Sequence, residues 1–131
     1  MSSREIPVSE IMTSPIRTVA ADYTIAQAAG ELVDHHIGSL LVVAERENGK
    51  RVEGILTETD VVASVAAGIN PETTIGDVMS SPVVTVRPTE SVSTAGRRMA
   101  KNSVKKLPVT EDGDPIGVVT TTDLAHFTTE S

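Results

Sequence analysis

The sequence contains no cysteine and no tryptophan, and its only ring-bearing aromatic residues are Tyr23 and Phe127. The missing thiols exclude disulfides, thiolate metal sites and a cysteine nucleophile. The missing rings remove the stacking platforms on which single-stranded nucleic acids are usually held. Positive charge is scarce as well: 11 lysines and arginines stand against 18 acidic residues, for a net charge of −7. A field of that sign repels phosphate backbones and argues against nucleic acid as a partner. No apolar run approaches the length of a membrane span, and the opening MSSREIPVSE lacks an apolar signal core. We therefore expect a cytoplasmic protein with no membrane partner.

What the chain does have is aliphatic. Of its 131 residues 39% are hydrophobic, mostly Val, Ile, Leu and Ala, enough for one compact domain or two interdependent halves. It also repeats itself. IMTSPIRTV at 11–19 returns as VMSSPVVTV at 78–86, a spacing of 67 residues. Held onward, that spacing pairs Ile25 with Val92, Ala28 with Ala95, Leu32 with Met99 and Leu40 with Leu107. The register then slips to 63 residues, where GILTETD (54–60) meets GVVTTTD (117–123). The slip falls at a turn signal in each copy, Asn48-Gly49 and Asp112-Gly113, dipeptides that accept positive φ in tight hairpins. A repeat of this kind marks stacked supersecondary units.

Each copy reads as β-α-β-β-α. Strands are expected near 17–20 and 84–87, and amphipathic helices near 25–35 and 92–101, with Thr24 and Ser91 close to the N-cap positions. Hairpins of 40–45 with 52–57 and 107–110 with 116–120 follow. A last helix begins just after each Thr-x-Thr-Asp. In the first copy it stops near Gly68 and Pro71, and in the second the end of the chain is expected to cut it short. One such unit leaves apolar faces open. We expect repeat 1 (1–68) and repeat 2 (69–131) to pack with pseudo-two-fold symmetry into one mixed α/β module, with a short hinge at 66–74.

The doubled Thr-x-Thr-Asp has two readings. Thr57 with Asp60, and Thr120 with Asp123, fit a capping box that satisfies the free amides at a helix start. Two copies of a fold need two such caps. The other reading is a binding site: short hydroxyls and a helix N-terminus suit phosphate oxygens, and an ionised Asp suits paired ribose hydroxyls. Capping does not require Thr59 or Thr122, yet both copies carry them.

Paired β-α-β-β-α units with Met-Ser/Thr-x-Pro at the start and Gly-h-h-Thr-x-x-Asp before the last helix resemble a tandem of CBS domains, the Bateman module. The resemblance runs from about Val8 to Phe127. It implies a regulatory, non-catalytic module that binds adenine nucleotides or adenosyl compounds (AMP, ADP, ATP, NAD or S-adenosylmethionine) as regulatory ligands. It also implies homodimers and an unidentified regulated protein. By the same resemblance each cleft draws on both copies. Site A combines Thr57, Thr59 and Asp60 with Val83, Val84, Thr85, Lys105 and Lys106. Site B combines Thr120, Thr122 and Asp123 with Ile16, Arg17, Thr18, Gly38 and Ser39. Site A then holds two lysines where site B holds Gly38 and Ser39. Because charge-assisted bonds to phosphate are the stronger ones, site A is expected to prefer a phosphorylated ligand; a solvated surface pair is the alternative for these lysines. Site B, where Arg17 is the available charge, would accept an uncharged adenosyl group more readily.

The other candidates read as structure. His35 and His36 point apart on a helix, and His126 is the only further histidine. The carboxylates at the hairpin tips read as solvated charge. No Ser/His/Asp set or P-loop is apparent, so no enzyme is expected. The rival to a nucleotide sensor is a ligand-free interaction module in which the caps are only caps.

Overall fold

The computed structural model describes residues 6–14, 16–80 and 83–130. Pro15 and the Ser81-Pro82 pair, part of the two Met-Ser/Thr-x-Pro motifs, lie outside the described residues. The chain forms two compact units, Arg17–Val83 and a second made of Met1–Ile16 with Val84–Ser131.

The first unit runs β1 (Thr18–Ala20), α1 (Ile25–His35), β2 (Ser39–Arg46), β3 (Gly49–Thr57) and α2 (Glu58–Ala66). Helix α1 starts where a side chain can cap it. Gln27 N–H donates to Thr24 Oγ1 at 3.0 Å, and Thr24 N–H donates to Gln27 Oε1 at 2.9 Å. It ends at His36, whose φ of 53° turns the backbone left-handed. Ile25, Ala28 and Leu32 share its buried face, the spacing a helix lying on a sheet requires. Strand β1 runs parallel to β2, and β2 pairs antiparallel with β3. Leu40, Val42 and Leu56 from the sheet meet Ile25, Ala28 and Leu32 from the helix in one cluster. Each fully buried Leu, Ile or Val contributes about 1.5–3 kcal/mol.

The second unit repeats the plan with α3 (Val92–Asn102), β4 (Lys106–Glu111), β5 (Asp114–Thr120) and α4 (Thr121–Glu130). One difference from the expected elements has a physical cause. The strand expected at 84–87 contracts to a single parallel bridge, Val86 with Val109. In the first unit Leu41 N–H donates to Arg17 C=O at 3.1 Å. The residue equivalent to Leu41 is Pro108, which has no N–H to give, so the ladder forms only further along, through Val86 and Thr110. Helix α4 has 10 residues and runs to Glu130, the last described residue; α2 has 9.

The register slip of the sequence repeat resolves into strand length. Strands β2 and β3 have 8 and 9 residues, whereas β4 and β5 have 6 and 7. Both hairpins close through two-residue loops, between Arg46 and Gly49 and between Glu111 and Asp114. Only the second uses positive φ at both loop positions, 53° at Asp112 and 89° at Gly113. In the first, Gly49 takes φ 135° as the opening residue of β3.

The sequence period and the compact units are offset, because the leading segment of each copy packs on strands and helices of the other copy. Val8, fully buried, joins Val86, Ala95, Met99, Leu107, Val109 and Val119 in the core of the second unit. Its N–H donates to Glu90 C=O at 2.8 Å, and Val92 N–H donates to Ile6 C=O at 2.8 Å. Ile75 holds the equivalent place in the first unit, donating to Tyr23 C=O at 2.8 Å. The glycines that open the two Thr-x-Thr-Asp phrases make room for these segments. A Cβ on Gly54 would lie 3.0 Å from Ser80 O and clash with Met79, and one on Gly117 would lie 2.6 Å from the sulfur of Met12.

Candidate functional site

Each Thr-x-Thr-Asp phrase spans the change from strand to helix. Thr57 closes β3 and caps α2: Asp60 N–H donates to Thr57 Oγ1 at 3.2 Å, and Thr57 N–H donates to Asp60 Oδ2 at 2.8 Å. Thr120 and Asp123 do the same for α4, at 3.1 and 2.9 Å. The capping role of the outer Thr and Asp is thus realised in both units. Ser64, buried, adds a hydrogen bond from its Oγ to Asp60 C=O at 2.8 Å and steadies the first turns of α2.

Thr59 and Thr122 are different. Both are exposed, and neither hydroxyl bonds to a described residue. Asp60 and Asp123 use Oδ2 for the cap, and Oδ1 of each has no partner among the described residues. The two turns therefore present the same set outward: a free hydroxyl, a carboxylate oxygen, and the N-terminus of a helix.

Backbone bonds fix what stands beside each turn. Glu58 N–H donates to Gly38 C=O at 3.1 Å and Ser39 pairs with Thr57, so Gly38 and Ser39 flank the first turn. A Cβ on Gly38 would come within 3.2 Å of Glu58 Oε1. In the second unit Thr121 N–H donates to Lys105 C=O at 3.0 Å and Lys106 pairs with Thr120, so the two lysines flank the second turn. Lys105 is exposed and Lys106 half-buried, and neither has a carboxylate within ion-pair distance among the described residues.

Of the residues expected in site A, Thr57, Thr59, Asp60 and Val83 belong to the first unit, and Val84, Thr85, Lys105 and Lys106 to the second. Of those expected in site B, Thr120, Thr122, Asp123 and Ile16 belong to the second unit, and Arg17, Thr18, Gly38 and Ser39 to the first. Arg17 does not stand as an open charge: its Nε donates to Glu31 Oε2 at 3.0 Å, and His35 reaches the same oxygen at 3.3 Å.

The second unit carries a different pair at the matching place, which the sequence reading did not single out. Arg98 grips Glu90 with two bonds, 3.1 Å to Oε1 and 2.8 Å to Oε2, and its Nη1 also donates to Thr85 C=O at 2.9 Å. That fork fixes the backbone of Thr85, one of the expected site residues. The bonds from Arg98 hold the Glu90 carboxyl below its ordinary value of 4.5, against burial, which raises it; they hold Arg98 above its own. The available signal was the 67-residue shift, which replaces Tyr23 by Glu90 and Glu31 by Arg98.

Taken together, two α/β units each present a capped strand-to-helix turn with an unengaged hydroxyl, the form of a duplicated domain. The CBS domain family model matches the chain twice, at residues 8–67 and 75–130. The chain belongs to the CBS domain family and is a tandem of two such domains. It is 32% identical over 119 residues to the CBS domain-containing protein YhcV of Bacillus subtilis, covering 90% of this chain and 82% of that one. Its fold matches the CBS domain pair of protein MJ0100 in complex with 5′-methylthioadenosine and S-adenosyl-L-methionine, with TM-score 0.83 and 28% identity over 95% of this chain and 97% of that one. It also matches protein PAE2072 of Pyrobaculum aerophilum complexed with AMP, with TM-score 0.81 and 26% identity over 95% and 99% of the two chains.

Proposed function

We propose that this tandem is a regulatory, non-catalytic module that binds an adenosyl ligand, AMP, ADP or ATP or an adenosyl compound such as S-adenosylmethionine or NAD, at its Thr-x-Thr-Asp turns. The observation that carries this reading is the pair of unengaged threonines, Thr59 and Thr122, each beside a carboxylate oxygen and a helix N-terminus. The cap needs neither hydroxyl. Phosphate oxygens and ribose hydroxyls need both kinds of group. Two related pairs are described with AMP or with S-adenosyl-L-methionine, which supports the ligand class.

Sites A and B, with the residues expected for them, differ in charge. In the sites as expected, Lys105 and Lys106 favour a phosphorylated ligand at site A, while Gly38, Ser39 and an Arg17 already paired with Glu31 favour a less charged one at site B. Within their own units the two lysines flank the Thr120–Asp123 turn, and Gly38 and Ser39 the Thr57–Asp60 turn. A ligand acts only through unequal affinity for two states of the protein, and a regulated partner would read that difference.

A second copy of the chain is the companion we expect for the apolar surface of α1 and α2. Val33, Val62 and Val65 are exposed, and their counterparts in the other copy are Ala100, Ala125 and Thr128. The first unit thus offers the larger apolar face to a homodimer. Sedimentation of Val62→Asp with Val65→Asp tests this: the assembly should fall to the monomer.

A thermal-shift screen with AMP, ATP, NAD and S-adenosylmethionine tests the ligand reading, since binding to the native state raises the melting temperature by mass action. At least one should raise it. No shift at saturating concentration for any of them would favour the ligand-free interaction module instead.

A further inference from the structure

The scarce positive charge of this chain is concentrated in one place. Residues 91–110 hold five of the 11 basic residues and none of the 18 acidic ones. Three of the five, Arg97, Arg98 and Lys101, line an open groove of about 450 Å³ along α3, together with Val84, Thr94 and Asn102. That volume falls in the range of small-molecule sites, and no carboxylate lines it among the described residues.

The charges in the groove are unequally matched. Arg98 is neutralised by Glu90. Arg97 finds only hydroxyls, its Nη1 donating to Ser93 Oγ at 2.7 Å and its Nη2 to Thr94 Oγ1 at 3.4 Å. Neither Arg97 nor Lys101 has a carboxylate within ion-pair distance among the described residues. They stand one helical turn apart, where like charges repel each other. Thr94 Oγ1 accepts from Ser91 Oγ at 3.0 Å and from Arg97, which leaves its own proton to donate. The groove therefore offers two uncompensated cations and a hydroxyl donor on one wall.

We propose that this groove binds linked phosphates, either a free oligophosphate or the phosphate tail of a nucleotide. Residues one helical turn apart have Cβ atoms about 5–6 Å apart, and a chain of linked phosphates brings more charge and more acceptor oxygens to both cations than a single small anion does. A long nucleic acid backbone would meet the repulsion of the acidic remainder; a short phosphate chain would not. The groove shares only Val84 with the residues expected for site A, so it stands whether or not the Thr-x-Thr-Asp turns bind an adenosyl group.

The test is calorimetric titration of the whole chain with inorganic triphosphate, ATP, AMP and sulfate at one fixed ionic strength, on the natural sequence and on Arg97→Gln with Lys101→Gln. Both side chains are exposed, so the melting temperature without ligand should hold. Triphosphate should bind the natural chain, and the double variant should bind it about tenfold more weakly or worse, the loss of one charge-assisted hydrogen bond or more. AMP binding should not change. If free triphosphate is silent but ATP weakens in the variant, the nucleotide tail is the source. Equal binding of triphosphate and ATP by both proteins, silence of both, or sulfate matching triphosphate, would overturn the proposal. Failure of AMP to bind the natural chain would count against the adenosyl reading alone.

Discussion

Thr57 and Asp60 hold each other: each backbone N–H donates to the other's side chain, at 2.8 and 3.2 Å. The same reciprocal pair joins Thr120 and Asp123. These residues therefore carry a structural load whatever the turns bind. Asp60→Ala should lower unfolding free energy by about 1 kcal/mol, the usual loss of a cap, measured by urea denaturation without ligand. A cost below about 0.3 kcal/mol would mean that the cap contributes less than a typical cap does.

The threonine inside each phrase should behave in the opposite way. Thr59→Val and Thr122→Val remove exposed hydroxyls that bond to nothing described. Stability should stay within about 0.5 kcal/mol, as for most surface changes, while the melting-temperature rise given by an adenosyl ligand shrinks. Unchanged ligand response in the double variant would take these hydroxyls out of the site.

Val8 is fully buried in the core of the second unit, far along the chain from the residues it touches, and Ile75 is its counterpart in the first. Val8→Ala should cost about 2 kcal/mol and Ile75→Ala about 3 kcal/mol by lost burial and the cavity left behind. Equilibrium unfolding reads both. A Val8→Ala protein as stable as the natural one would show that the leading segment is not part of that core.

Glu90 and Arg98 add a pH-dependent term. The bonds from Arg98 lower the folded-state pKa of Glu90 below the ordinary 4.5. A depressed carboxyl pKa gives stability that is fully present above the unfolded value and is lost as pH falls through the folded one. Around neutral pH, Glu90→Gln should therefore be less stable than the natural protein by about 1 kcal/mol, the upper range for a partly exposed pair. The gap should close as the pH drops below 4.5. Denaturation curves across that range would show it, and a gap independent of pH would remove the ion pair as its cause.

Much of this was legible before the fold was known, and the exceptions have definite reasons. The 67-residue period and the Thr-x-Thr-Asp phrases located the helices, hairpins and caps, because helix spacing and capping are local properties of sequence. The period could not say on which copy Val8 and Ile75 would pack, since a repeat is symmetric with respect to that choice. The contraction of the strand at Val86 depends on one missing N–H at Pro108, a partner that only pairing reveals. Arg98 was invisible as a positioning residue because its partners, Glu90 and Thr85 C=O, lie 8 and 13 residues away. The free hydroxyls of Thr59 and Thr122 were legible as a surplus over what a cap requires.

The most direct test of the account is a crystal structure of the chain grown with AMP. We predict the ribose hydroxyls on the carboxylate of Asp60 or Asp123, and the phosphate within hydrogen-bond reach of Thr59 or Thr122. Crystals grown at millimolar AMP with both turns empty, or with the nucleotide bound away from them, would contradict it.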